Sequence, residues 1–284
     1  MSYPGGKNGA GVYQTIINLM PPHEVYIEPF LGGGAILRLK QPASVNIGID
    51  LDSAAIARMR EWARARSRHA KSDGARARRP PSPETPMPSA TVKSGDALRR
   101  PTPEKAMYDR QFCFLCEDGI AFLKSYPFDG SELVYCDPPY MPETLRSPCQ
   151  YNFELSDAQH FELLRVLRTL PCRVMISGYW TLLYSKVLRK WNSIHYQAQT
   201  RGRHVATEWL WFNFPEPVAL HDYRYLGSNF REREYLKRMK LRWTARLEKM
   251  PLLKRRCLLL AIASIAGNGE SAGGIVISGD GRRR

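Results

Sequence analysis

In the stretch Leu133-Val134-Tyr135-Cys136-Asp137-Pro138-Pro139-Tyr140, an acid, two prolines and a phenol follow a run of β-favouring apolar residues. The run reads as a short buried strand, and the prolines end it because they have no N–H to give a sheet. Asp137 therefore stands at a strand's C-terminal end, the edge where open α/β sheets bind ligands. With φ fixed at both prolines, the Asp137 carboxylate and the Pro138 carbonyl form a rigid pair of hydrogen-bond acceptors, with the Tyr140 ring beside them. Two acceptors and an aromatic plate suit a planar molecule carrying an NH₂ group, such as the exocyclic amine of a nucleobase. The plain alternative is a surface turn after a strand.

Two glycine turns precede this corner. Tyr3-Pro4-Gly5-Gly6-Lys7 offers a single cation ahead of a helix expected over residues 12–19. Val25-Tyr26-Ile27-Glu28 reads as a strand, followed by Pro29-Phe30-Leu31-Gly32-Gly33-Gly34 and a helical run to residue 39. Strand, glycine loop and helix let a backbone approach a cofactor closely, with the helix N-terminus toward its negative group. The loop is not G-x-G-x-x-G, so a cofactor with only a carboxylate is favoured over a phosphate-bearing dinucleotide. A second strand over residues 45–50 ends in Asp50, where an acid takes ribose hydroxyls in a Rossmann-like unit; a simple strand-end acid is the alternative. Asp52 or Ser53 caps a following helix over residues 54–66.

The remaining pattern must position these groups. Strands are expected at residues 112–116, 172–177, 193–198 and 208–214, and helices at 120–124, 156–170 and 181–190. Strand and helix alternate throughout, which implies a mainly parallel sheet. Residues 72–92, rich in proline, read as a flexible link. Residues 231–249 form a basic amphipathic helix with Leu236, Met239, Trp243 and Leu247 on one face, and Pro251 opens a second helix over residues 252–263. The domains expected are a core of residues 1–57 and 110–219, an Arg/Pro-rich insertion at 58–109, a helical extension at 220–263 and a disordered tail at 264–284.

The charge is unevenly placed. Of the formal +15, residues 58–79 carry an excess of seven and residues 221–256 an excess of eight, so the body is neutral. A neutral body with two basic appendages is what a protein that grips a polyanion needs, and nucleic acid suits it better than membrane; solvated basic faces are the alternative. Arg60, Arg64 and Arg68 share one helical stripe, and Arg238, Arg242 and Arg246 another, each suited to a phosphate backbone. The N-terminus lacks a signal-peptide core and no long apolar run occurs, so a cytoplasmic protein with reduced thiols is expected. The only CxxC, Cys113 and Cys116, lies in a strand where a three-residue offset points to opposite faces, so no structural metal is expected.

In their order, Gly-Gly-Lys, Phe-Leu-Gly-Gly-Gly, the strand-end Asp50 and Asp-Pro-Pro-Tyr resemble the Dam-type adenine-specific DNA methyltransferases, over about residues 3–214. The resemblance implies a SAM-dependent methyltransferase fold, a Rossmann-like, mostly parallel seven-stranded sheet with flanking helices. It also implies S-adenosylmethionine (SAM) as cofactor, S-adenosylhomocysteine as product, and no metal. Tyr3, Gly6 and Lys7 would line the methionine end of SAM, Phe30, Gly32 and Gly34 the loop under it, Asp50 the ribose and Asp118 the purine amine. Asp137, Pro138 and Tyr140 would hold a flipped adenine, with Asp137 also bordering SAM. The partner would be double-stranded DNA, the protein a monomer, and a cognate restriction endonuclease is an open association. The interval that holds the family's target-recognition domain is short and Arg/Pro-rich, which leaves sequence specificity undetermined. Competing readings are methylation of cytosine N4, methylation of a protein glutamine amide, and a non-catalytic DNA-binding protein on the same fold.

Overall fold

The computed structural model describes residues 7–76, 111–144, 153–199 and 205–270. The chain divides into two units, Met1–Leu226 and Gly227–Arg284. Among the described residues, the first unit holds one sheet built from β1 (Val25–Glu28), β2 (Val45–Asp50), β3 (Phe112–Cys116), β4 (Glu132–Cys136), β5 (Arg173–Gly178), β6 (Asn192–Gln199) and β7 (Val205–Phe212). Their spatial order is β3-β2-β1-β4-β5-β7-β6. Every pairing from β3 through β5 is parallel, whereas β7 runs antiparallel to both β5 and β6. The sheet is thus mixed and mostly parallel, the seven-stranded α/β architecture expected.

Central strands of such a sheet are covered on both faces and read as continuous apolar runs. In β4, Leu133 and Tyr135 enter one core layer while Val134 and Cys136 enter the other. Helices α1 (Val12–Ile17), α2 (Ala35–Leu39) and α3 (Ser53–Arg76) supply the first layer. Helices α4 (Gly119–Ser125), α5 (Asp157–Thr169) and α6 (Leu182–Val187) supply the second. Local capping matches the sequence: Gln159 N donates to Ser156 Oγ at 3.3 Å and Ser156 N to Gln159 Oε1 at 2.9 Å, a reciprocal box that starts α5. Asp52 rather than Ser53 caps α3, its Oδ1 accepting from Ala54 N at 2.9 Å.

Several boundaries differ from expectation: β7 is Val205–Phe212 rather than 208–214, and α6 is Leu182–Val187 rather than 181–190. Helix α3 continues to Arg76 instead of ending at residue 66, and Ala55, Ile56, Met59 and Ala63 bury one face of it. The arginines on its other face raise the local charge and hide the apolar stripe. The part of the expected link at residues 77–92 lies outside the described residues. Residues 220–226 also pack on the first unit: Asp222, fully buried, accepts from Gln41 N at 2.8 Å, and the Tyr225 hydroxyl donates to Leu39 O at 3.1 Å.

The second unit holds α7 (Phe230–Glu248) and α8 (Leu252–Glu270). Asn229 Oδ1 caps α7 by accepting from Glu232 N at 3.0 Å, and α7 has no buried residue. Helix α8 follows Pro251 and runs past the expected end at residue 263, so residues 264–270 are helical, and the rest of the expected tail lies outside the described residues. Among the described residues, no helix is long and apolar enough to cross a membrane.

Candidate active site at the C-terminal sheet edge

Strands β1 and β4 are neighbours, but the chain leaves β1 toward β2 and β3 and leaves β4 toward β5. Their following loops diverge at this reversal of strand order, which opens a crevice at the C-terminal edge. The sheet order sets four sequence-chosen groups in a row along that edge: Asp118 after β3, Asp50 on β2, the Pro29–Gly34 loop after β1, and Asp137 after β4.

The glycine loop is held by backbone geometry. Gly32 and Gly34 have φ of 50° and 59°, a left-handed conformation that glycine adopts at no steric cost. The turn brings Gly32 N to 2.6 Å from Asp50 Oδ2, while Asp52 N donates to Asp50 Oδ1 at 2.8 Å. Asp50 therefore ties the loop to the end of β2; burial raises its carboxyl pKa, and these two N–H donors oppose the rise. Phe30 is half-buried against the second core layer. A Cβ on Gly119 would lie 2.2 Å from Pro29 O, so the turn after β3 reaches the β1 loop only because residue 119 is glycine. That approach brings Asp118 into the row, although its Oδ1 is engaged in capping α4, accepting from Ala121 N at 2.7 Å.

At the other end of the row a polar cluster surrounds Asp137. Lys7, 3% exposed, sets its ammonium 2.9 Å from Asp137 Oδ1 and 3.0 Å from Glu208 Oε2, and also donates to the Tyr140 hydroxyl. Ser177 Oγ donates to the same Asp137 Oδ1 at 2.9 Å, and lies 2.9 Å from the Tyr135 hydroxyl. Glu208 in turn accepts from Tyr140 OH at 3.0 Å and from Tyr196 OH at 3.1 Å. Burial disfavours the Lys7 ammonium, but Asp137, Tyr140 and Glu208 outweigh it and hold its pKa well above the ordinary lysine value. Burial pushes the Asp137 carboxyl up, Lys7 pulls it down and Glu208 raises it again. Both tyrosines are held well above the ordinary phenol value, first by burial, and so stay neutral.

The Asp137 side chain remains 19% exposed, and its Oδ2 has no hydrogen bond among the described residues. One oxygen is thus fixed by two donors, while the other is left as an acceptor on a side chain that is still partly exposed. Pro138 is buried. Tyr140 departs from expectation: it is 7% exposed, with its hydroxyl clamped and its ring 4.5 Å, centroid to centroid, from that of Tyr179. The sequence suggests an open aromatic plate, but the hydroxyl's two partners draw the ring inward.

Lys7 is brought together with Asp137, while Tyr3 and Gly6 lie outside the described residues. Glu208, Ser177 and Tyr196 are site residues that the sequence reading missed. Alternation of β-strand side chains puts Ser177 two residues after Met175 on the Asp137 side of the sheet, a signal available from the motif's own strand phase. Glu208 is different. Near the start of a parallel strand it would lie at the far edge of the sheet, but β7 is reversed, and its register of Trp209 with Gly178 carries Glu208 to the C-terminal edge.

The arginines separate into two groups. Arg60 is half-buried, its Nη2 donating to Phe114 O at 2.7 Å, so this side chain braces α3 against β3 rather than standing free on the expected stripe. Arg64 and Arg68 are exposed on α3, and Arg238, Arg242 and Arg246 are exposed on α7, the last beside the Trp243 ring.

No protein-family model matches the chain, and no curated protein matches it. Among solved structures, the chain is similar to a precorrin 8w decarboxylase from Methanobacterium thermoautotrophicum, at 12% identity over 75% of this chain and 94% of that one, with a TM-score of 0.39. It is similar to an rRNA methylase from Streptococcus thermophilus, at 10% identity over 71% and 93%, with a TM-score of 0.38. It is also similar to the magnesium protoporphyrin IX methyltransferase from Synechocystis PCC 6803, solved with bound SAM, at 11% identity over 72% and 76%, with a TM-score of 0.35. Likenesses of this size assign neither a substrate nor a family to the chain.

Proposed function

We propose that this protein is a SAM-dependent DNA methyltransferase that acts on the exocyclic N6 amine of an adenine turned out of the duplex. The observation that carries this reading is the state of Asp137: Lys7 and Ser177 fix one carboxylate oxygen, and the other is left as an acceptor on a partly exposed side chain at the C-terminal end of β4. An adenine amine is a weak nucleophile because its lone pair is delocalised into the ring. Accepting its hydrogens at Asp137 Oδ2 and at the Pro138 carbonyl draws the nitrogen toward tetrahedral geometry. The same interactions favour the positive charge that develops on it, and the methylated nitrogen returns to neutrality by releasing one of its protons to solvent.

The row of groups along the edge fits the cofactor. Half-buried Asp50 offers acceptor oxygens suited to ribose hydroxyls, Asp118 borders the position for a purine, and the Phe30 to Gly34 loop follows β1, the strand next to the one that carries Asp137. When bound, SAM supplies an electrophilic methyl group. The chain's part is to orient the amine toward it and to exclude water, with Tyr140 and Tyr179 forming an aromatic wall beside the acceptor. The exposed arginines of α3 and α7 support a duplex partner, since binding to phosphates offsets the few kcal/mol that extruding a base costs.

The test is incubation with unmethylated double-stranded DNA and methyl-labelled SAM, followed by digestion to nucleosides and mass analysis. Label in N6-methyldeoxyadenosine is expected. Label in N4-methyldeoxycytidine would transfer the same acceptor chemistry to the other base, and SAM binding without any transfer would refute the reading.

A further inference from the structure

Lys7 poses an electrostatic problem for this site. A buried ammonium 2.9 Å from Asp137 orients that carboxylate, but alone it would also neutralise it. The amine to be methylated would then develop its positive charge against a neutral pair, and the corner would lose the attraction that favours the transition state. Glu208 changes the balance. It is 6% exposed, its Oε2 lies 3.0 Å from the Lys7 ammonium, and its two oxygens also accept from the hydroxyls of Tyr140 and Tyr196. Both phenols are neutral donors, so the cluster holds one ammonium and two carboxylates, with one net negative charge.

We propose that Glu208 is a positioning residue for methyl transfer: it binds Lys7 so that the ammonium can orient Asp137 without cancelling its charge. The proposal rests on the methyltransferase reading above and deepens it. It separates two roles that one cation would otherwise confound. Lys7 fixes the direction of Asp137 Oδ1, together with Ser177, and Glu208, bound to Lys7, leaves the corner net anionic. A purely structural role for Glu208, bracing β7 against the segment that leads into α1, uses the same interactions but not the same charge balance.

The charge balance gives the test. Glu208→Gln leaves a neutral corner, Lys7→Gln leaves two adjacent carboxylates, and the double variant Lys7→Gln/Glu208→Gln returns the corner to one net negative charge. Single-turnover methyl transfer from saturating labelled SAM to unmethylated plasmid DNA is measured for the wild type and all three, with calorimetric SAM affinity beside it. Glu208→Gln should slow the step by about tenfold to a hundredfold while SAM affinity changes by less than about twofold. The double variant should be faster than Glu208→Gln, because the net negative charge returns, but slower than the wild type, because the Lys7 contact that orients Asp137 is gone. Glu208→Asp, which keeps the charge, should fall between wild type and Glu208→Gln, and it tests the proposal if the glutamine variant does not fold.

A double variant as slow as Glu208→Gln, or an aspartate variant no faster than the glutamine one, would make Glu208 a brace and overturn the proposal. Wild-type transfer with an unimpaired Glu208→Gln would overturn it while leaving the methyltransferase reading intact. No transfer by the wild type would overturn both.

Discussion

Lys7 Nζ and Asp137 Oδ1 lie 2.9 Å apart, so the acid at the end of β4 is oriented by a cation that enters from the turn before α1. The ion pair joins the turn before α1 to the Asp-Pro-Pro-Tyr corner. With Ser177 on the same Oδ1, the carboxylate cannot rotate without breaking two hydrogen bonds.

Asp50 has a double duty that sharpens its test. Both of its oxygens already accept backbone N–H groups, from Gly32 and Asp52, so the residue shapes the loop as well as any cofactor interaction. Asp50→Ala should weaken SAM binding by about 1 to 3 kcal/mol and should also lower unfolding stability, because two N–H groups lose their partner. Calorimetry and urea unfolding measure the two effects. An unchanged SAM dissociation constant would remove Asp50 from the cofactor site.

Glu28, at the end of β1, is 3% exposed and accepts from Tyr26 OH at 2.9 Å and Leu37 N at 3.2 Å. Burial pushes its pKa from the ordinary 4.5 to about 8. Between those values the folded protein holds a proton that the unfolded chain has released, so stability falls as pH rises through this window. Glu28→Gln has no such titration. Its stability relative to wild type should therefore rise, by on the order of a few kcal/mol, between about pH 5 and about pH 8. A stability difference that stays constant over this range in urea unfolding would contradict the assignment.

The exposed arginines of α7 make a separate prediction. Replacing Arg238, Arg242 and Arg246 by glutamine should lower the salt dependence of log K for duplex DNA by about 0.9 for each phosphate that is no longer neutralised, with little change in sequence preference. An unchanged salt slope would place this face of α7 away from the DNA.

Much of the fold was legible because its signals are local. Val25–Glu28, Val45–Asp50 and Phe112–Cys116 are observed as strands with the expected bounds, since turn or capping residues flank each apolar run. The position of Asp137 followed from Pro138 and Pro139. What stayed hidden depended on tertiary pairing. The reversal of β7, which moves Glu208 to the C-terminal edge of the sheet, leaves no trace in an alternating strand pattern, because parallel and antiparallel strands share the period of two. The core face of α3 was masked by arginines, and Arg60 among them serves Phe114 O rather than solvent. Residues 220–226 carry polar and aromatic side chains that read as surface until Gln41 and Leu39 supply partners.

The most direct measurement is single-turnover methyl transfer by Asp137→Asn on an adenine-containing duplex, with calorimetric SAM binding alongside. The asparagine keeps the shape and one acceptor oxygen but removes the charge that faces the developing cation, and it can turn a donor toward the amine. Because that loss falls mainly in the transition state, transfer should slow by about 10² to 10³ while SAM still binds at the row anchored by Asp50. Near-normal transfer by the asparagine variant would contradict the assignment of Asp137 as the group that polarises the target amine.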